Sequence, residues 1–191
     1  MNKLAFGAAL AALSLAIPGA ALAQSTILVV DTDRVMTECT ACRTANAQLQ
    51  SQATALQQRQ QQAQQQLRTE GQPIQTAVAA LNGRQPDAAL QTRITTFQNN
   101  QQRLAQELEG RGATLQSTQA HVSQQIGQRL ITIVEQVRAR RRATIVISRG
   151  STLANDTAAD VTAEVLTALN QQLPSVSVTP LPQQQQQPAG R

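Results

Sequence analysis

Apolar residues follow two distinct patterns along the chain, and each predicts a different kind of element. Two short runs, 27–30 and 144–147, contain β-branched and other apolar residues with almost no polar interruption. Such runs are typical of strands that are covered on both faces. In the roughly 110 residues between them, apolar residues recur at alternating spacings of four and three, the a/d pattern of coiled-coil helices. The pattern therefore predicts a long helical segment between two short strands.

The helical segment divides into two heptad frames with a few polar interruptions. The first frame contains Leu49, Ala53, Leu56, Ala63, Leu67, Ile74, Ala77 and Leu81. The second contains Leu90, Ile94, Phe97, Leu104, Leu108, Leu115 and Val122, and continues through Ile126, Leu130, Ile133 and Val137. Polar residues stand at the seam positions Gln60, Glu70, Gln101, Arg111 and Thr118. Because Ala and Gln fill many seam positions, we expect weak packing and a flexible pair of helices.

The segment between the frames predicts a tight tip at about 82–88. Gly83 suits the left-handed cap that ends a helix, Pro86 suits the opening of the next helix, and Asp87 suits the positive end of its dipole. We therefore predict an antiparallel hairpin.

The predicted helices cover about 43–81 and 88–140, or roughly 60 and 80 Å at 1.5 Å per residue. Gly71-Gln72-Pro73 should kink the first helix, because proline lacks a backbone donor and clashes with the preceding turn. Of the 33 glutamines in the chain, 25 lie between Arg43 and Arg142. So much polar side chain, with so few aromatic residues, argues against one compact core there.

The segment after the second strand predicts one short helix and a polar tail. Residues 155–160 offer helix-capping side chains, and the helix should end near Leu173-Pro174. Val176 and Val178 alternate with serine and predict an edge strand. The Pro- and Gln-rich run 180–191 predicts disorder. The apolar face of the short helix comprises Val161, Val165, Leu166 and Leu169.

Residues 1–23 have the three parts of a secretory signal. Lys3 provides the positive start, an apolar stretch follows, and Ala21-Leu22-Ala23 fits the small-x-small cleavage pattern. We predict cleavage between Ala23 and Gln24. A bacterial periplasm is the expected destination, because the remaining chain is poor in cysteine.

Positive charge is concentrated in the helical segment. Residues 43–142 contain 12 Arg and five acidic residues, a net charge of +7, whereas 24–42 and 143–191 together carry −3. This distribution favours contact with an anionic surface or with acidic segments, or simply solvates the faces of a long coiled coil. We expect no nucleic-acid partner, because the chain is exported and has almost no aromatic side chains for stacking.

Three stretches near the ends of the chain carry a family resemblance. They are Ile-Leu-Val-Val-Asp-Thr-Asp-Arg-Val at 27–35, Ala-Thr-Ile-Val-Ile-Ser at 143–148 and Asp-Val-Thr-Ala-Glu-Val-Leu at 160–166. The last is similar to a D-[IV]-T-x-[DE]-[VI]-[LI] closing helix. With the signal and the hairpin between them, these stretches resemble the Skp (OmpH) family of periplasmic chaperones.

The resemblance implies an α+β fold in which a long antiparallel coiled-coil hairpin, or tentacle, is inserted between the strands of a small β-body. It implies a homotrimer with bodies formed by 24–42 and 143–179, and arms formed by 43–142. The arms would enclose a cavity that holds unfolded outer-membrane β-barrel proteins during transit, without ATP or a cofactor. Physical reasoning also favours self-association, since a body of under 60 residues is marginal on its own.

The basic side chains of the hairpin are candidates for contact with clients or with anionic lipid. Family members contact anionic lipid, including lipopolysaccharide, but their mid-arm cluster has no clear counterpart here, so no residue is assigned that role. The densest group, within 138–142, either stabilises a helix C-terminus or contacts an anionic membrane. For Phe97, packing in the seam is the alternative to a contact with clients. The candidate client contacts are Arg84, Arg93, Phe97, Arg103 and Arg111.

Cys39-Thr40-Ala41-Cys42 forms a C-x-x-C motif with several interpretations. We favour a structural disulfide, either between Cys39 and Cys42 or between subunits. A reduced pair, a catalytic redox centre and a zinc site are the alternatives.

No residues predict a catalytic site or a metal site. His121 is the only histidine and is expected to be solvated or partly packed, while Asp31 and Asp33 suit strand-end capping. No nucleophile–base pair or phosphate-binding loop is recognisable, so we expect a binding protein and not an enzyme. A structural coiled-coil scaffold and a thiol-disulfide oxidoreductase are the competing hypotheses.

Overall fold

The computed structural model describes residues 26–180, in which two short strands and four α-helices follow one another. The predicted signal 1–23, its cleavage site at Ala23 and Gln24, and the tail from 181 onward lie outside the described residues. The elements, in chain order, are β1 (Ile27–Val30), α1 (Thr32–Glu38), α2 (Thr40–Ala79), α3 (Ala88–Arg140), β2 (Ile145–Ser148) and α4 (Thr162–Gln172), with single 3₁₀ turns at Arg149–Ser151 and Thr157–Ala159.

The two strands pair in parallel, although the whole hairpin separates them in the sequence. Ile27 lies opposite Ile145 and Val30 lies opposite Ser148. The α+β architecture with helices inserted between the strands is therefore confirmed. The predicted second strand began one residue too early. The strands are also not covered on both faces as expected: Leu28–Val30 are buried, whereas Ile27 and Ile145 are 50% and 46% exposed.

A short helix, α1, joins the first strand to the hairpin and was not predicted. Asp31 caps it, since its carboxylate accepts a hydrogen bond of 2.9 Å from the backbone N–H of Arg34. Asp31 thus caps the helix that follows the strand, and not the strand end as predicted. Extended backbone at Cys39 (ψ 145°) then separates α1 from α2. Because α2 begins at Thr40, the predicted boundary between body and arm, at 42/43, falls inside this helix.

The tip of the hairpin differs from both predicted caps. Helix α2 ends at Ala79 with Ala80 as its cap, so Gly83 lies in the turn beyond the helix. Asn82 and Gly83 have positive φ angles of 48° and 85°, so the chain reverses in the left-handed conformation that glycine adopts without strain. Pro86 does not open α3. It precedes the capping residue Asp87, whose carboxylate accepts from the N–H of Leu90 at 2.8 Å.

The two long helices pack against each other along the predicted heptad seam. Its apolar members are buried or half-buried, whereas the interruptions Gln60, Gln101 and Arg111 are exposed. Gly71-Gln72-Pro73, where a kink was predicted, lie within α2. The helix continues through Pro73, which is exposed. No helix within residues 26–180 combines the length and apolar character needed to cross a lipid bilayer.

The main apolar cluster fills the body and the adjoining part of the hairpin. We call residues 40–140 the arm, and the remaining described residues the body. The cluster joins β1, α1 and α4 to the arm as far out as Leu49 and Val122. Val165 and Leu169 of α4 are completely buried in it. Val176 and Val178 pack against it from extended chain, so the predicted edge strand is wrong: they belong to no strand.

Candidate functional site

Halfway along the arm, three arginines surround the carboxylate of Glu107. Glu107 of α3 accepts two hydrogen bonds of 2.8 Å from the guanidinium of Arg59, which lies across the seam on α2. Arg111, one turn along α3, donates to the same carboxylate at 3.0 Å, and Arg103 lies 4.0 Å away. The bond from Arg59, its charge, and then Arg111 lower the pKa of Glu107 from its ordinary 4.5 to about 2. Glu107 therefore stays ionised and joins the two helices by a forked ion pair.

A second polar link lies nearer the tip. Glu70 of α2 accepts hydrogen bonds from Gln66 at 2.8 Å and from Asn100 of α3 at 2.6 Å. These two bonds lower the pKa of the Glu70 carboxyl, since both favour its charged form. Arg103 donates to the same Asn100 side chain at 2.6 Å, which ties this link to the cluster around Glu107.

Phe97 packs in the seam against Gly71. A Cβ placed on Gly71 would lie only 2.9 Å from Cζ of Phe97, so the ring sits directly against the α2 backbone. Open clefts of about 470 and 380 Å³ flank the ring on its two sides, and the smaller one is also lined by Arg93 and Ile74. The ring is half-buried. Phe97 therefore both packs in the seam and presents a face to solvent.

The structure brings some of the candidate client contacts together and leaves others apart. Arg103 and Arg111 meet at Glu107, whereas Arg93 lies beside Phe97. Arg84 lies on the tip and donates to the carbonyl of Leu81, at 3.3 Å. Neither Arg84 nor Arg93 forms an ion pair with any residue of 26–180.

The arginines at the end of α3 are engaged by the body. Arg140 and Arg141 both bind Glu164 of α4, at 3.0 and 2.8 Å. These hydrogen bonds lower the pKa of Glu164, the one from Arg141 contributing most. Arg138 binds Glu135 and donates to the carbonyl of Ala143 at 2.9 Å. These pairings favour the structural interpretation of the group over contact with a membrane.

Cys39 and Cys42 are joined by a disulfide within the chain. Cys39 is the capping residue of α2, and both residues are at most 1% exposed. A redox centre requires a sulfur that a thiol can reach, so this burial favours a structural bond. Within 26–180, no three His, Cys, Asp or Glu side chains gather as a metal site would require.

Sequence reasoning missed the residues that link the two helices: Arg59, Glu70, Asn100 and Glu107. Spacings of four between Arg103, Glu107 and Arg111 are visible in the sequence and predict ion pairs along α3. The partners on α2 give no such signal, because residue 59 meets residue 107 only through the register of the hairpin.

The comparison with protein families decides where the chain belongs. The model of the family described as "Outer membrane protein (OmpH-like)" matches residues 26–169. The chain belongs to this OmpH-like family. The match begins just before β1 and ends within α4, so family membership covers the sheet, the whole arm and most of the closing helix. No curated protein is similar enough to the chain to count as a match.

A solved structure has the same OmpH-like fold. It is the crystal structure of a Caulobacter crescentus CB15 protein assigned as an OmpH-like outer membrane chaperone, with a TM-score of 0.70 and 16% sequence identity. The alignment covers 86% of this chain and 95% of that one. At this identity the likeness establishes the fold.

Proposed function

We propose that the chain is a periplasmic holdase chaperone. It binds unfolded outer-membrane β-barrel proteins in transit and keeps them from aggregating, without ATP and without a cofactor. Membership of the OmpH-like family supports a chaperone role. The observation that carries the proposal is the arm: helices of 40 and 53 residues leave a surface of arginine and glutamine with small apolar clefts. Such a surface offers many weak contacts, which permit release without an energy source.

Self-association through the body completes the proposal. The body is small, and Ile27 and Ile145, which pair in the sheet, expose a continuous apolar edge. Ile131 on α3 is 71% exposed, and Leu153 is fully exposed. The paired isoleucines of the sheet, which are adjacent and half exposed, are the part of this surface that favours an interface. A homotrimer with its bodies in contact would cover them and leave a cavity between the arms.

Arg84, Arg93 and the exposed face of Phe97 are the proposed client contacts. Because neither arginine is in an ion pair with the described part of the chain, both would attract acidic clients, and the rate of capture should fall as salt screens the charges. Arg103 and Arg111 already bind Glu107, so their contribution to clients should be smaller.

The test is to dilute a denatured outer-membrane barrel protein into buffer with the purified mature chain and to follow light scattering. We expect aggregation to stop at about one trimer per client, and Arg93→Gln to slow capture more than Arg129→Gln, an exposed arginine on the same helix. Unchanged aggregation would overturn the chaperone proposal and favour a scaffold. A monomer in multi-angle light scattering would overturn the trimer.

A further inference from the structure

The segment after α4, residues 173–180, has no regular secondary structure and is bound to the arm by glutamine side chains. The backbone N–H of Ser177 donates to Oε1 of Gln125 at 3.0 Å, and the carbonyl of Ser177 accepts from Nε2 of the same side chain at 2.9 Å. Gln52, on the other helix, donates to the carbonyl of Val178 at 3.3 Å. One primary amide thus satisfies both backbone polar groups of one residue, as a neighbouring strand would.

The side chains of the same segment alternate in their environment. Val176 and Val178 are half-buried against the apolar cluster, whereas Ser175, Ser177 and Thr179 are exposed. Strands of outer-membrane barrels alternate apolar and polar residues in the same way. Around Ser177 the segment therefore contacts the arm as a half-buried strand would, with the flanking valines on apolar residues and both backbone groups of Ser177 paired.

The groove continues outward beyond this segment. Gln52, which holds Val178, also lines a cleft of about 540 Å³ between α2 and α3. Leu56 and Leu115 provide its apolar side chains, and Gln106 adds another amide. The cleft therefore shares apolar residues and glutamines with the occupied end, and its lining adds the charged side chains of Glu107 and Arg111.

We propose that this groove, from Gln125 to the cleft beyond Gln52, binds extended polypeptide whose backbone pairs with glutamine side chains. Residues 174–180 of the chain occupy its end nearest the body until an extended client segment displaces them. The inference rests on the proposed function, since it assumes unfolded clients. It explains the use of glutamine: the amide carries a donor and an acceptor but no charge, so it binds any extended backbone weakly and independently of sequence.

The first experiment weakens the resident segment without changing the groove. The probe is a fluorescein-labelled peptide, Pro-Ser-Val-Ser-Val-Thr-Pro, the sequence of residues 174–180. Ser177→Pro in the full chain removes the N–H that binds Gln125 and keeps the extended backbone. We expect this variant to bind the probe roughly fivefold more tightly than the unmodified chain, the value of one hydrogen bond. Ser175→Pro, at an exposed serine whose N–H donates no bond within residues 26–180, is the control. Equal affinities for all three proteins would overturn the proposal.

The second experiment tests whether the backbone is recognised. In the Ser177→Pro background, Gln125→Leu should weaken probe binding by about 25-fold, because two hydrogen bonds of about fivefold each are lost. Gln124→Leu, at the exposed neighbour, should leave it unchanged. A probe N-methylated at its central serine should bind more weakly to the protein that retains Gln125, and no more weakly to the protein that carries Gln125→Leu. Equal losses in both proteins, or a loss with Gln124→Leu, would contradict backbone pairing.

The groove proposal and the chaperone proposal can each be disproved without the other. If the chain suppresses aggregation of a barrel protein but the probe shows none of these differences, the groove is not the client site and the chaperone function stands. If the probe behaves as expected but aggregation is not suppressed, the groove binds peptide and the holdase function is wrong.

Discussion

The two halves of the arm hold their helices together by different means. Near the body, α2 and α3 share the apolar cluster with α1 and α4, and Leu49, Ile126 and Ile133 are buried there. Farther out, the links are the forked pair between Arg59 and Glu107 and the bonds around Glu70. The buried residues of the outer half are Ala63, Gly71, Leu90 and Leu104.

This difference determines where the protein is stable and where it can open. Apolar burial contributes in proportion to the area removed from water, so most of the free energy of unfolding should come from the body and the near half of the arm. The outer half buries fewer apolar side chains, and its polar links are ones that water can also satisfy. Its helices should therefore separate at a lower cost than global unfolding.

Truncation of matched leucines gives the largest expected effect. Leu169 in the body and Leu104 in the outer arm are 0% and 1% exposed. Leu169→Ala should lower the global free energy of unfolding by about 3 kcal/mol, since the surrounding cluster leaves a cavity. Leu104→Ala should lower the global value by less and speed amide hydrogen exchange mainly in the outer arm. Equal losses in urea denaturation would show that the two halves unfold as one unit.

Removal of the disulfide should have a smaller effect, confined to the near half. Replacement of Cys39 and Cys42 by Ala removes a very short closed loop, worth about 2 kcal/mol by the chain-entropy estimate. The paired variant should melt at a lower temperature than the oxidised chain, with no change in exchange at the outer arm. A thiol count in denaturant without reductant tests the bond itself, because both sulfurs are buried in the folded chain, and two free thiols would contradict it.

Neutralising Glu107 should have the smallest effect, and one that depends on pH. The pKa of Glu107 is lowered from 4.5 to about 2, so its stabilising contribution is present above pH 4.5 and is lost as pH falls toward 2. Glu107→Gln should therefore speed hydrogen exchange in the outer arm at pH 7, and the difference from the unmodified chain should shrink in acid.

The control for this variant is Glu109→Gln, at an exposed residue on the same helix without an ion pair in the described part of the chain. It should exchange like the unmodified chain at both pH values. A difference between Glu107→Gln and the unmodified chain that persists unchanged at pH 2 would show that shape, and not charge, explains the effect.

Hydrophobic periodicity was enough to predict the long elements. The seam recurs over many heptads, so single polar interruptions do not obscure it. The same reasoning missed α1, because its seven residues, Thr-Asp-Arg-Val-Met-Thr-Glu, contain only two apolar side chains and complete fewer than two turns. A periodic signal requires more turns than this helix has.

Contacts across the hairpin depend on information that no local pattern contains. The pairing of Arg59 with Glu107 is set by where Asn82 and Gly83 reverse the chain. A shift of the tip by a few residues would place other side chains opposite each other. Val176 and Val178 show a related difficulty: their alternation is genuinely strand-like, but their backbone neighbour is a glutamine side chain and not a strand.

The parallel pairing of β1 with β2 constrains the order in which the chain can fold. Ile27 meets Ile145 only after the whole arm has been synthesised and the hairpin has brought its ends together. Closing a loop of this size has an entropic cost that local helix formation does not have. During synthesis, the apolar residues of the first strand therefore have no partner strand until the last quarter of the polypeptide has been made.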